Sequence, residues 1–211
     1  MATFIENLDP KNDIWGHRSL LFIHIPKTAG KSFRTLLEAN GGVTYKNDSD
    51  TENWARGKHP TCSDALELIN YRSLKKPINV LGIVRNPYDR LAAMYKQLSY
   101  FEIEESAMNC SFEEWVMEGH FCSIDFCMPA SARFYASQDL LDQKVFYRRY
   151  RFEHGLRDVG TQLSLRGKLP TVGKSFSKGN DYRKLYTEEM KAKVYDFYQS
   201  DFESFGYNKE Y

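Results

Sequence analysis

The chain has 211 residues, 42% of them hydrophobic, which is long enough for one well-packed core and short for two. Its 29 Lys and Arg stand against 28 Asp and Glu, a net charge of +1. That balance excludes a global basic field of the kind that drives non-specific nucleic-acid binding, so any anion binding must be local.

The opening stretch MATFIENLDPKND carries acids where a secretion leader carries Lys or Arg. No run approaches the ~20 apolar residues of a membrane span. These features predict a cytoplasmic chain with no membrane span, in which Cys62, Cys110, Cys122 and Cys127 are reduced thiols. The cysteines lack the paired short spacings of a zinc site, and no metal is expected.

In chain order, residues 1–19 read as an N-terminal extension, and SLLFIHI (19–25) as a buried strand. Gly30 to Ala39 reads as a helix opening straight from the loop after that strand. The polar stretch YKNDSDTENWARGK (45–58) is either a loop over an acceptor site, with Trp54 and Arg56 available for contacts, or a solvated loop. TCSDALELINYRSL has helical spacing, with Thr61 or Ser63 as N-cap. PINVLGIVR is a second buried strand, whose continuous apolar run suits a parallel sheet. NPYDRLAAMYKQLSY gives a helix with Pro87 in its first turn, and Ser111 with Glu114 predicts a capping box. QKVFYRRYRF reads as a strand, HGLRDVGTQLSL as a helix, and a final helix begins near Thr187. Strand, loop and helix in repetition predict a single domain over 1–211, a three-layer α/β/α fold with a mostly parallel sheet.

The chemistry concentrates in LFIHIPKTAGKSF, residues 21–33. Gly30, Lys31 and Ser32 match the end of a nucleotide-binding P-loop, but Ile25 stands where its first Gly belongs. A strand feeding a helix through a tight loop still offers backbone N–H groups and the positive end of the dipole to a phosphate-like anion. Metal-assisted NTP chemistry also asks for a carboxylate at the end of a neighbouring strand, whereas the second strand ends in Arg85. The anion is thus neutralised by Lys27, Lys31 and a neighbouring cation, with Thr28 and Ser32 as hydroxyl donors.

FIHIPKTAGKSF resembles the 5′-phosphosulfate loop of sulfotransferases that use 3′-phosphoadenosine 5′-phosphosulfate (PAPS), and VRNPYDRLAAMY resembles their 3′-phosphate motif. The likeness is to the carbohydrate branch that includes heparan sulfate 2-O-sulfotransferase, and it continues through RFEHGLRDVGTQL, LPTVGKSFSKGNDYRKLYTEEM and DFESFGY. It implies a P-loop-like site in which Lys27, Thr28, Ala29, Gly30, Lys31 and Ser32 hold the 5′-phosphosulfate. It further implies that Arg85 holds the 3′-phosphate, and that Lys174 and Ser175 close over the nucleotide. The implied reaction passes a sulfuryl group to an acceptor hydroxyl, on a sugar or polysaccharide, and releases adenosine 3′,5′-bisphosphate without a metal. Lys27 would stabilise the departing phosphate. His59, in GKHPTCSDALEL between the two motifs, would be the general base, since imidazole accepts a proton near neutral pH.

Other residues receive structural readings. His24 alternates with apolar neighbours and reads as a hydrogen-bonded core histidine, and Arg90 suits an ion pair as well as a ligand. VFYRRYRF is read as a half-exposed strand in preference to a nucleic-acid strip, so no nucleic-acid partner is expected. Ala93 replaces a Ser that the family uses at the 3′-phosphate, and Ala29 replaces a loop Gly. Two rivals stay open, a P-loop-like nucleotide kinase or NTPase and a catalytically silent nucleotide-binding protein. Acceptor identity and oligomeric state are not specified by the sequence.

Overall fold

A computed structural model describes residues 2–6, 19–45, 59–74, 77–138, 145–171 and 181–210. Its elements in chain order are β1 (Ala2–Ile5), β2 (Ser19–Ile23), α1 (Gly30–Glu38), β3 (Val43–Tyr45), α2 (Cys62–Leu68), β4 (Ile78–Val84), α3 (Pro87–Tyr100), α4 (Glu105–Asn109), α5 (Phe112–Met117), α6 (Ala130–Phe134), β5 (Val145–Arg151), α7 (Val159–Gln162) and α8 (Glu188–Phe205). They pack as two compact units, Met1–Val84 with Ala132–Gly173 and Arg85–Ser131 with Lys174–Tyr211.

The first unit is built on an open five-stranded sheet in the order β3-β1-β2-β4-β5. β2, β4 and β5 run parallel, as the apolar run of β4 predicts for that strand, while β1 pairs antiparallel with both β2 and β3. The sheet is therefore mixed. β1 falls in the stretch read from sequence as an extension; four residues, Ala-Thr-Phe-Ile, carry too little periodicity to be seen alone. Its place between β2 and β3 is set by pairing with chain far away in sequence, Ala2 opposite Ile23 and Tyr45.

Every residue of β2 and β4 is buried. Phe22, Leu81 and Ile83 meet Phe33, Leu36 and Leu37 of α1, along with Val159 and Leu163, in one apolar cluster. Burial of each such side chain contributes about 1.5–3 kcal/mol relative to exposure. This packing fixes α1 against β2 and so fixes the loop between them. At Gly82 of β4 a Cβ would crowd the Phe134 ring, and the bare backbone lets α6 settle against the strand.

The second unit is helical. Tyr88, Trp115, Phe121, Tyr198 and Phe202 form its apolar centre with Leu91, Met94 and Met190. Within it Arg90 and Asp201, both 1% exposed, pair at 3.1 Å, and Arg90 also donates to the Met128 carbonyl. Asp201 accepts the amides of Ala130 and Ser131, at 2.8 and 2.7 Å, and the Ser131 hydroxyl. A buried carboxylate so supplied is compensated, which is the condition for a charge to remain in a core. Arg90 thus takes the ion-pair role. No helix among the described residues is long and apolar enough to cross a membrane, and no disulfide joins Cys122 to Cys127.

Candidate active site

β2 ends in a turn, with the Ile25 amide reaching back to the Ile23 carbonyl at 3.1 Å, and Pro26 has no N–H with which to continue a ladder. Two non-glycine residues then adopt left-handed backbone, Lys27 at φ 65° and Ala29 at φ 67°. Thr28 is fully buried, and its hydroxyl donates to the Ile25 carbonyl at 2.8 Å, tying the loop to its own start. Ala29 is the N-cap of α1 and supplies no side-chain cap. The loop therefore meets the positive end of a nine-residue helix dipole. Lys31 is exposed and Ser32 buried in that first turn, and Lys27 is half-buried. The chain folds this motif into a tight loop that runs from β2 directly into α1.

His59 lies against this loop. Its Nδ1 is 3.1 Å from the His24 carbonyl oxygen, and the two imidazoles meet edge to face with centroids 4.7 Å apart. A carbonyl only accepts, so Nδ1 carries the hydrogen and Nε2 keeps its lone pair. Burial, reinforced by His24 and Arg133, holds His59 well below the usual imidazole range. Burial likewise pushes His24 down to about 3, with Arg34, Arg133 and Lys31 adding to it. Both rings are therefore neutral at neutral pH, and His59 has the tautomer that a base acting through Nε2 requires.

Two further features hold this pair, and neither contact is visible in the sequence. The Arg133 guanidinium, from the α6 that Gly82 admits, donates to the His59 carbonyl. A Cβ on Gly30 would overlap the His24 ring, so the glycine of the loop leaves room for the histidine of the strand. His24 itself departs from expectation: its Nδ1 is buried without a hydrogen-bond partner among the described residues, and its carbonyl, not its ring, makes the hydrogen bond to His59. Thirty-five residues separate His24 from His59, and Arg133 sits in a short helix with no recognisable motif.

In the second unit Arg85 is 4% exposed and forms a two-pronged ion pair with Asp89, Nε to Oδ2 and Nη2 to Oδ1, each 2.7 Å. The i,i+4 spacing on the α3 side was legible in VRNPYD, although Asp89 was not singled out. Ala93 lies buried on α3 at 3% exposure. Trp54, Arg56, Lys174 and Ser175 lie outside the described residues.

The family model of the sulfotransferase family matches residues 13–208. No curated protein and no solved structure matches the chain. The match takes in the strand-loop-helix, His59 and Arg85 alike, and with nearly the whole length covered, the chain belongs to the sulfotransferase family.

Proposed function

We propose that this sulfotransferase uses PAPS as donor and transfers its sulfuryl group to a hydroxyl of a carbohydrate acceptor. The observation that carries the reading is the His59 ring, hydrogen-bonded through Nδ1 to the carbonyl of the residue that begins the Lys27 loop. Base and anion loop are held together by one strand end.

The residues fit the donor. The positive end of α1, with Lys27 and Lys31, suits a 5′-phosphosulfate in a P-loop-like manner. Arg85 takes the 3′-phosphate on the strength of the VRNP motif, with Asp89 fixing the plane of its guanidinium. PAPS, when bound, supplies a sulfuryl group attached through a phosphate oxygen. His59 Nε2 would accept the hydroxyl proton of the acceptor. Lys27 would stabilise the negative charge left on the donor's phosphate. Lys174 and Ser175 keep the nucleotide-closing role that the family motif implies.

The test is transfer of labelled sulfate from PAPS to pooled polysaccharide, glycan and phenol acceptors. His59→Ala should lose turnover by about 100- to 10,000-fold while calorimetry shows unchanged affinity for adenosine 3′,5′-bisphosphate. His59→Gln should be nearly as slow. A His59→Ala enzyme that keeps more than about a tenth of wild-type turnover would overturn the assignment of the base.

A further inference from the structure

The ring of His24 does more than support His59. It stacks on Phe22, with centroids 6.2 Å apart, and its Cδ2–Nε2 edge lies against Gly30, where a Cβ would overlap both atoms. Gly30 is the first residue of α1 and stands inside the 27–32 motif. That edge of the ring therefore faces the turn where loop becomes helix, at the positive end of the helix dipole. Nδ1, by contrast, is buried without a hydrogen-bond partner among the described residues. A buried polar atom left in that state costs stability. Filling space against Phe22 and His59 requires only a ring, so packing does not account for an imidazole at this position.

The surroundings decide the form of the ring. Burial pushes His24 down to about 3, and Arg34, Arg133 and Lys31 add to it. The neutral imidazole carries one hydrogen. A buried N–H without an acceptor is rarer than a bare lone pair, which assigns the hydrogen to Nε2, the nitrogen beside Gly30. With three cationic side chains already acting on this position, an imidazolium would be repelled. A neutral ring adds a directed N–H without adding charge, and a helix N-terminus that keeps imidazole neutral suits it to act as a donor.

We propose that His24 is a donor-binding residue, whose Nε2–H donates a hydrogen bond to an oxygen of the 5′-phosphosulfate held by the 27–32 loop. The proposal rests on the sulfuryl-transfer reading above and adds to it a residue whose place in the strand suggests only core packing. Hydrogen bonds to charged oxygens are the stronger kind, so a single N–H here is worth the unmet Nδ1 behind it. The same ring meets His59 edge to face at 4.7 Å. One side chain thus sets anion and base in register, and Gly30 is the residue that leaves it room.

The test has two parts, neither of which reads activity. Imidazole NMR of the isotope-labelled wild-type protein, with the His24 signal assigned by its loss in His24→Gln, reports which nitrogen carries the hydrogen. The expected result is an Nε2–H ring whose signal shifts when inorganic pyrophosphate or adenosine 3′,5′-bisphosphate is added. Calorimetry then compares variants. His24→Phe keeps a stacked ring without a donor and should lose about tenfold or more in affinity for adenosine 3′,5′-bisphosphate, with no loss for adenosine 3′-phosphate, which lacks the 5′ group. His24→Gln, which returns an N–H near the place of Nε2, should lose less. Thermal melting checks that the variants fold, and the wild-type NMR decides if they do not. A hydrogen that stays on Nδ1 with pyrophosphate bound, or wild-type affinity in a folded His24→Phe, overturns the proposal. Nucleotide binding with an unmoved His24 signal refutes the role of His24 alone. A His24 signal that responds to pyrophosphate in a protein that binds no nucleotide refutes the PAPS reading and leaves His24 as an anion donor.

Discussion

At the scale of single residues, the His24–His59 pair depends on the hydrogen that Gly30 carries in place of a side chain. Gly30→Ala would drive a methyl into the His24 ring, and overpacking of this kind costs typically about 1–3 kcal/mol. The expected outcome is a lower urea midpoint together with reduced turnover, because displacing His24 moves the ring that His59 packs against. A fully stable, fully active Gly30→Ala would show that the ring contact is dispensable. Arg85 allows a second prediction at this scale. Arg85→Ala should weaken adenosine 3′,5′-bisphosphate by about 1.5–3 kcal/mol in calorimetry, as expected for hydrogen bonds to a charged group, and should affect nucleotide lacking the 3′-phosphate much less. Equal losses for both nucleotides would remove Arg85 from the 3′-phosphate.

At the scale of elements, the start of α1 is strained at its N-cap. Ala29 is held at φ 67° and ψ 17° as N-cap, and left-handed backbone costs a non-glycine residue about 1–2 kcal/mol. Glycine there removes that strain but adds freedom to the unfolded chain, a penalty of about 0.5–1 kcal/mol. Ala29→Gly should therefore raise stability modestly, by up to about 1 kcal/mol in equilibrium denaturation. A clear loss would mean that the Ala29 methyl contributes packing that outweighs the strain. The other element ends follow local chemistry. Thr61 with Asp64 and Ser111 with Glu114 form full capping boxes, Pro87 begins α3 behind its Asn86 cap, and Thr187 caps α8.

At the scale of the whole molecule, the two neutral histidines tie stability to pH. Both are depressed in the folded chain, His24 to about 3, whereas an unfolded imidazole titrates near 6.5. Above about pH 6.5 neither state binds the proton, and the stabilisation is fully present. As pH falls below that value the unfolded chain takes up protons that the fold refuses, so stability declines toward the folded values. Each imidazole contributes a slope of up to about 1.4 kcal/mol per pH unit. Urea midpoints measured between pH 7 and 5 should fall with acidification, and His59→Gln, which removes one of the two sites, should flatten the curve. A midpoint independent of pH in that interval would contradict the neutral, half-buried pair.

The sequence by itself determined the parallel strands β2 and β4, the helices that follow them and the tight loop that joins β2 to α1. Those features rest on neighbours in the chain: an apolar run, a proline, a capping residue, a glycine. It also pointed to His59, through its place between two motifs. What only the tertiary structure decided was the company His59 keeps: the His24 carbonyl that fixes its tautomer, the Arg133 that holds its backbone, and the buried rings that keep it neutral. The antiparallel strand β1 belongs to the same group. Each depends on residues far apart in the chain meeting in space, and loop closure over such distances leaves no local pattern to read, because its cost is met by burial elsewhere in the fold.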